Sequence, residues 1–296
     1  MIELNRYIYF ILIFLFARYV VAACSADSHS LEVRGVGESK ITLSAWDCEA
    51  NAWNVAKYQD EGEGFLLYVT KPEPLQAGRV FVSPIQQDLS QDKKILRAQR
   101  LVLGQLYLED GSKKVVENNY CDVIDMSTGC VAKTLPGGSC SGRWVQGQWR
   151  LFGANGQDED GLAVVTQSPK EIIDSVSKIS DAREKASAIS DNLYMGVESY
   201  LACYKPERKN VVDLNNIAFY LAEGGDFYNS LKIYMVLEKI DPSRIVLKIN
   251  IADALWQSGE RSRARSYYKE YASEMVRSGR ESRIPARVGA RVASGE

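Results

Sequence analysis

Few side chains in this chain have the type and spacing that catalysis or metal binding requires. The single histidine, His29, lies close to the start of the chain, so a histidine-based triad or metal cluster cannot be assembled. The acidic run Asp158-Glu159-Asp160 lacks the alternating ligands of a calcium loop, and a surface turn fits it better. We therefore predict no catalytic residue, no metal site and no cofactor. The one enzymatic function that we consider is a hydrolase, in which a β domain would bring two carboxylates together in space.

The N-terminus has the layout of a secretory signal. Residues 7–16 form an uninterrupted apolar run after Arg6, and small residues follow at Ala22-Ala23. A run of this length is too short to span a bilayer, which needs about 20 apolar residues. We therefore expect a signal peptide over residues 1–23 and an exported protein.

The end of this signal also resembles a bacterial lipobox. Val21-Ala22-Ala23-Cys24 would make Cys24 the lipidated first residue of the mature protein. Cleavage near the same point without lipidation and an uncleaved anchor are the alternatives. The expected location is the periplasm or, for a lipoprotein, the outer membrane, with secretion as the alternative.

The six cysteines are interpretable once export is expected, because oxidising compartments allow disulfides to persist. Cys48, Cys121, Cys130 and Cys140 lie in the N-terminal half, where two bridges would form in one of three pairings. The last three lie close together, which favours at least one local bridge, and the alternative is that all four are reduced. Cys203 is predicted to be a free cysteine in the core.

Residues 25–167 are predicted to form a mostly antiparallel β domain. Short alternating or β-branched runs are separated by Gly, Pro, Asp and Asn clusters, and Asp110-Gly111 between two runs predicts a hairpin. One helix is expected from Asp47 to Tyr58. The predicted strands are Ser30–Arg34, Lys40–Ala45, Phe65–Thr70, Arg79–Val82, Ile95–Leu108, Lys114–Val116, Arg143–Leu151 and Leu162–Gln167.

A helix is predicted to begin after Ser168. Ser168-Pro169-Lys170-Glu171 places a hydroxyl at the N-cap, proline at the first helical position and glutamate at the third. Apolar residues then recur at intervals of three and four, which predicts one long helix packed between the β domain and the helices that follow. This stripe consists of Ile172, Val176, Ile179, Ala182, Ala186, Ile189 and Leu193.

The C-terminal half repeats itself with a period of 34 residues. A period of this length is typical of arrays of helix-turn-helix units, in which no single unit can bury its own apolar stripe. A further step backwards from Tyr234 leads to Tyr200, so three related units are expected. The matched positions are Asn216-Ile217-Ala218 with Asn250-Ile251-Ala252, Gly225 with Gly259, and Tyr234 with Tyr268.

Residues 192–275 resemble the tetratricopeptide repeat (TPR) family in these positions. The resemblance implies an all-α repeat domain over residues 168–278, and the overall fold class is then α+β. It also implies that the first helix of each unit lines a concave face that binds a protein or peptide. Phe219 and Trp256 are the expected anchors, since aromatic residues dominate binding at interfaces, although Trp256 would alternatively pack on the next helix. The positions on this face are Asn215, Phe219, Glu223, Asp253, Trp256 and Gln257.

Charge is distributed unevenly along the chain. The formal net charge is −2, which argues against a nucleic-acid partner. Residues 261–296 nevertheless hold nine Arg or Lys against four Glu, and residues 279–296 are expected to form a basic C-terminal tail. Such a segment either meets anionic phospholipid or an acidic partner, or is simply a solvated helix face.

Together these features predict an exported envelope protein without enzymatic activity, acting as a protein-interaction module or assembly scaffold. The partner would be another protein or a peptide, with a lipid anchor as the contact with the membrane. The alternative from a different class is an inhibitor or immunity-type protein that neutralises a secreted toxin or enzyme through the β domain.

Overall fold

A computed structural model describes residues 30–48, 52–68, 80–83, 88–152 and 163–294. The predicted signal segment 1–23, Cys24, His29 and the acidic run at 158–160 lie outside these ranges. Antiparallel sheets precede eight helices in the described part, so the α+β fold class is confirmed. Within these ranges no helix has the length and apolar character needed to cross a bilayer.

A nine-stranded antiparallel sheet dominates the N-terminal half. Its strands follow the order β1-β2-β3-β5-β6-β7-β8-β11, and β4 pairs with β3. Strands β9 and β10 form a separate two-stranded sheet. The strands are β1 Leu31–Arg34, β2 Lys40–Asp47, β3 Ala52–Asp60, β4 Glu63–Leu67, β5 Val80–Ser83, β6 Ile95–Tyr107, β7 Lys113–Asp125, β8 Cys130–Pro136, β9 Gly142–Val145, β10 Gln148–Leu151 and β11 Val164–Val165.

The predicted helix at 47–58 is wrong, because Ala52–Asp60 is strand β3. Ala52, Ala56 and Tyr58, which lie on one face of the strand, are buried, and β3 pairs along β2. The ring of Trp53 packs edge-on against Trp46 across the two strands, with 4.6 Å between ring centroids. Cross-strand packing of this kind decides the conformation of a segment whose own periodicity is weak.

The hairpin predicted at Asp110-Gly111 joins the two longest strands, β6 and β7. Gly111 has a φ of 78°, and the Asp110 side chain accepts a hydrogen bond from the Ser112 amide at 2.8 Å. Strand β8 follows β7 as its next antiparallel neighbour, although the sequence pattern predicts no strand there.

The C-terminal half consists of helices joined by short turns. The capping box at Ser168 is confirmed, since the Glu171 amide donates to the Ser168 hydroxyl and the Ser168 amide to the Glu171 carboxylate. The single long helix predicted after it is wrong, because the first helix ends at Val176 and Asp181 caps a second. The helices are α1 Pro169–Val176, α2 Ala182–Asn192, α3 Val197–Cys203, α4 Val211–Glu223, α5 Phe227–Ile240, α6 Ile245–Gln257, α7 Arg261–Arg277 and α8 Ala286–Ala293.

The 34-residue period is visible in the helix boundaries. Helix α6 begins and ends 34 residues after α4, and α7 begins 34 residues after α5. Gly225 and Gly259 end the turns after α4 and α6 with φ of 94° and 91°, a conformation that strains other residues. The side chains of Tyr200, Tyr234 and Tyr268 are fully buried between helices.

One hydrophobic core runs from the sheet into the helices. Helix α3 packs on β8, where the Ser199 hydroxyl donates to the Gly129 carbonyl at 2.6 Å and accepts from the Val131 amide at 3.2 Å. The Tyr68 amide donates to the Met195 carbonyl at 2.8 Å, which ties the end of β4 to the loop before α3. The sheet and the helices are therefore joined through both apolar packing and hydrogen bonds.

Disulfides reinforce this junction and correct the predicted pairing. Cys121 pairs with Cys140, the local bridge that the sequence favours, but Cys130 pairs with Cys203, 73 residues away. The prediction that Cys203 is a free core cysteine is therefore wrong. Cys48 is also disulfide-bonded. Disulfides persist in oxidising compartments, so the protein is an exported rather than a cytoplasmic one.

Candidate functional site

A groove of about 350 Å³ opens on the helical half of the molecule. Its walls come from α4, α6 and α8, and residues of α5 form its floor. Pockets of this size are typical of sites that bind small ligands or short peptide segments. The lining residues are Phe219, Ala222, Glu223, Phe227, Tyr234, Asn250, Asp253, Ala254, Gln257, Arg287 and Arg291.

Four of the six residues predicted from the resemblance line this groove: Phe219, Glu223, Asp253 and Gln257. The other two do not. Asn215 is buried, and its side-chain oxygen accepts a hydrogen bond from the Asn250 amide at 3.1 Å. The contact joins α4 to α6, so Asn215 supports the groove from behind.

Trp256 is not among the residues that line the groove. Its half-buried ring packs against the ring of Tyr268, and the guanidinium groups of Arg261 and Arg291 lie 5.5 Å and 5.1 Å from its centroid. Cation-π contacts of this kind hold the ring against α7 and α8. The ring of Trp256 therefore packs on the next helix, which is the alternative that the sequence analysis gives for this residue.

Asp253 fastens α8 to α6. Its carboxylate accepts hydrogen bonds from Arg287 Nε at 3.2 Å and Nη2 at 2.8 Å, and from Arg291 Nη1 at 2.6 Å. The hydroxyl of Tyr268 donates to the same carboxylate at 2.6 Å and also contacts Arg291. The hydrogen bond to Asp253 raises the pKa of Arg287 above its ordinary value. The basic C-terminal segment thus folds onto the array and forms one wall of the groove.

These two arginines do not appear among the residues predicted from the sequence, although a signal for them is present. Adding 34 to positions 253 and 257 gives 287 and 291, so the three wall helices place equivalent residues along the groove. The repeat pattern is clear from α4 to α6 but weaker in α8, which keeps Ala286 at the position of Ala218 and Ala252 but lacks the asparagine and isoleucine before it. The two equivalent sets are Phe219, Asp253 and Arg287, and Glu223, Gln257 and Arg291.

The groove combines an apolar wall with charged side chains. The Phe219 side chain is 39% exposed and packs edge-on against Tyr220, with Ala222, Phe227 and Ala254 completing the apolar surface. Glu223 is exposed and forms no ion pair with any residue in the described ranges. A ligand would therefore meet apolar surface, with the negative charge of Glu223 on the α4 wall and two arginines on the α8 wall.

The floor of the groove contains a buried hydroxyl. Tyr234 is fully buried, and its hydroxyl lies beside that of Ser230, which is also fully buried. Burial raises the pKa of Tyr234, and the charges of Asp253 and Glu223 raise it further, while the nearby Ser230 hydroxyl lowers it.

A second polar cluster lies between the sheet and the helices, but it is inaccessible. Arg100 donates to the fully buried Asp122 at 2.5 Å, and its guanidinium lies over the rings of Tyr68, Tyr120 and Tyr194. A buried ion pair satisfied in this way fixes the packing of neighbouring elements. We assign this cluster to the junction of the two halves.

The described residues contain no group of histidine, cysteine or carboxylate side chains that could hold a metal ion. No protein-family model and no curated protein sequence matches this chain. The groove is therefore interpreted from its own chemistry.

Proposed function

We propose that this protein is an exported interaction module whose C-terminal helices, a short TPR-like array, bind a segment of another protein. The observation that carries the proposal is the exposed ring of Phe219 on the wall of the groove, with Asp253 and the arginines of α8 opposite. Aromatic side chains beside a concave surface are the usual anchors of protein interfaces. The 34-residue step shared by α4 and α6 supports the comparison with TPR arrays.

Site-specific photo-crosslinking tests this function. A photoreactive amino acid replaces Phe219 in the chain expressed with its own signal segment, and Val212 serves as the control position. Val212 lies on the same helix and is 48% exposed, but it does not line the groove. We expect protein adducts from position 219 that are absent from position 212. Equal adducts at both positions, or none, would contradict binding in the groove.

The form in which the protein is exported depends on Cys24. We propose a bacterial envelope location, with Cys24 as the anchor if it is lipidated. Cys48 is disulfide-bonded, and the other four cysteines in the described ranges pair with one another. Because one sulfur atom cannot carry both a lipid and a disulfide, the mass of the mature N-terminal peptide before reduction distinguishes the two forms. A peptide linked to Cys48 would show export without lipidation, and a diacylglyceryl mass on Cys24 would show an envelope lipoprotein.

A second recognition surface in the β half would suit the inhibitor or immunity-type alternative. The tip of the β6–β7 hairpin presents Leu106, Tyr107 and Leu108, whose side chains are 50%, 67% and 41% exposed. Beyond Val102, β6 pairs only with β7 in the part of the sheet that the structure describes. If this alternative is correct, crosslinks from position 107 rather than 219 should capture the partner.

A further inference from the structure

The two disulfides whose partners both lie in the described ranges do not join neighbouring cysteines. Cys121 pairs with Cys140, and Cys130 pairs with Cys203. Cys130 therefore lies inside the loop that the first bridge closes, while its own partner lies far beyond Cys140. Because the two bridges interleave along the chain, joining each cysteine to its nearest neighbour does not produce this pairing.

In the unfolded chain, Cys130 meets the wrong partners first. Cys121 and Cys140 lie about ten residues on either side of it, whereas Cys203 is 73 residues away. The probability that two points of a flexible chain meet falls with about the 3/2 power of the loop length, so each near neighbour is favoured over Cys203 about 20-fold. The native pair Cys121–Cys140 closes a longer loop of 19 residues. Most first bridges among these three cysteines therefore contain Cys130.

The folded sheet excludes both bridges between Cys130 and its near neighbours. In the β7–β8 ladder Cys130 lies opposite Asp125, and Cys121 lies opposite Leu135. The extended strand from Cys121 to Asp125 places Cys121 about 13 Å from Cys130, whereas a disulfide needs Cα atoms within about 7 Å of each other. Cys140 lies beside Cys121, with 5.3 Å between their Cα atoms, and is out of reach for the same reason. A chain with either wrong bridge cannot form this ladder.

Two wrong bridges create a kinetic trap. Four cysteines allow three pairings, and the two wrong ones are Cys121–Cys130 with Cys140–Cys203 and Cys121–Cys203 with Cys130–Cys140. In either case these four residues keep no free thiol, and Cys48 is itself disulfide-bonded. Disulfides exchange only when a thiolate attacks one of the two sulfur atoms. A thiolate from another molecule must therefore start the rearrangement.

We propose that the folding chain is a substrate of a thiol–disulfide isomerase in the compartment to which it is exported. The isomerase thiolate attacks Cys121 of a Cys121–Cys130 bridge, forms a mixed disulfide and releases the Cys130 thiolate. That thiolate attacks Cys203 of the Cys140–Cys203 bridge, forms one native bond and releases the Cys140 thiolate. The Cys140 thiolate then attacks Cys121 in the mixed disulfide, forms the second native bond and releases the isomerase thiolate.

The reaction consumes no oxidant or reductant, because two disulfides enter it and two leave. It ends at the native pairing because the folded protein shields these bridges. The side chain of Cys121 is fully buried and that of Cys130 is 8% exposed, so an attacking thiolate has little access to either. The inference goes beyond the proposed function and is independent of the groove, since it rests only on the cysteine pairing and on export.

Oxidative refolding of the mature chain tests the trap. The reduced, unfolded protein is diluted from urea into excess diamide, which oxidises thiols and leaves none for exchange, and the bridges are mapped by mass spectrometry. Trypsin leaves Cys121 and Cys130 together in the peptide 115–133. Cleavage at Asp122 and Asp125 is therefore added to separate them. We expect the native pairing in about a third of the chains or fewer.

Rearrangement is then measured after the diamide is removed. A catalytic amount of purified protein disulfide isomerase, with its active-site thiols reduced, should raise the share of native pairing at least about twofold. The Cys121→Ala/Cys140→Ala double variant is the matched control. It removes the two near competitors, so the Cys130–Cys203 bridge should form with diamide alone, and the isomerase should not change its yield.

Three results would overturn the proposal. Native pairing in most wild-type chains with diamide alone would show that folding directs the cysteines without exchange. A wild-type pairing that the isomerase leaves unchanged would show that the trapped chain is not its substrate. An equal gain in the double variant would show that the isomerase acts on something other than the bridges to Cys121 and Cys140.

Discussion

At the scale of single residues, Asp253 determines whether α8 stays on the array. Its carboxylate receives hydrogen bonds from Tyr268, Arg287 and Arg291 at once. We predict that Asp253→Ala lowers the free energy of unfolding by about 1–3 kcal/mol, because two arginines and a buried phenol lose their acceptor together. Hydrogen exchange should become faster over residues 286–293 in particular.

Glu274 offers a matched control for this substitution. It pairs with Arg277 at 3.2 Å, but the arginine side chain is 74% exposed. Exposed pairs contribute little, so Glu274→Ala should change stability by less than about 0.5 kcal/mol. Equal effects of the two substitutions, or unchanged exchange in α8 of Asp253→Ala, would show that apolar packing of Val288 alone holds the helix.

The roles of individual residues were only partly predictable from the sequence. Phe219 and Trp256 are both aromatic residues on the first helix of a repeat unit, and the sequence pattern predicts that both anchor a bound partner. Arg291, 35 positions further along the chain, covers one of these rings and leaves the other exposed. Contacts made across such a separation depend on the assembled fold, and the local pattern does not contain them.

At the scale of elements, the turn after α4 depends on Gly225. Its φ is 94°, and a Cβ added there would meet nothing within 4 Å. The cost of a substitution is therefore backbone strain without a clash. We predict that Gly225→Val destabilises the protein by about 1–3 kcal/mol and that Gly225→Asn costs less, because asparagine tolerates positive φ better. Urea unfolding of both variants measures the difference.

Substitutions at two other glycines test whether backbone strain causes the loss of stability expected at Gly225. Gly289, inside α8, also has open space where a Cβ would lie but no positive φ, so Gly289→Ala should stabilise the protein by about 0.5–1 kcal/mol. At Gly224 a Cβ would lie 2.2 Å from the Cβ of Ala186 on α2. Gly224→Ala should therefore destabilise by forcing α2 and α4 apart. A loss of stability in Gly289→Ala would contradict this interpretation of the three sites.

Elements with local signals were predicted correctly, and those that depend on neighbours were not. The capping box at Ser168 and the turn at Asp110-Gly111 form within a few residues, so their chemistry is complete in the sequence. The apolar stripe continues through residues 177–181, but the helix stops there. The Ser177 hydroxyl donates to the Asp174 carbonyl at the end of one helix, and the Asp181 side chain accepts from the Glu184 amide at the start of the next. Strand β3 was missed because its pairing with β2 outweighs a weak local pattern.

At the scale of the whole molecule, buried tyrosines predict a loss of stability in alkali. Burial raises the pKa of both Tyr58 and Tyr267 to about 12, from the ordinary value of 10.0. Other buried or partly buried tyrosines have pKa values shifted in the same direction, so their effects add. These residues are Tyr68, Tyr194, Tyr200, Tyr204, Tyr234 and Tyr268.

The sign of this effect follows from proton binding. Above about pH 10 the unfolded chain loses phenol protons that the folded protein keeps, so stability is intact below pH 10 and falls as the pH rises towards 12. Urea midpoints measured across this window should fall steadily, and Tyr58→Phe should make the slope shallower. A flat profile, or an unchanged slope in the variant, would contradict the raised pKa values.

The pairing of distant cysteines could not be deduced from the sequence. Four cysteines in the N-terminal half suggest two bridges among themselves, yet Cys203 from the helices takes Cys130. The choice is made by the packing of α3 on β8, which brings the two sulfur atoms together across 73 residues of chain. The same packing turns two segments of different composition into parts of one core.

This shared core predicts a single unfolding transition for the sheet and the helices. Four of the five tryptophans lie in the sheet half, so Trp256→Phe leaves fluorescence that reports the sheet, while far-ultraviolet ellipticity reports the helices. In this background we expect the two urea transitions to coincide. Adding Gly225→Val should shift both midpoints together, because helix α3, its hydrogen bonds to β8 and the Cys130–Cys203 bridge couple the two halves. A shift confined to the ellipticity would show that the sheet folds independently and that the bridge merely tethers two separate units.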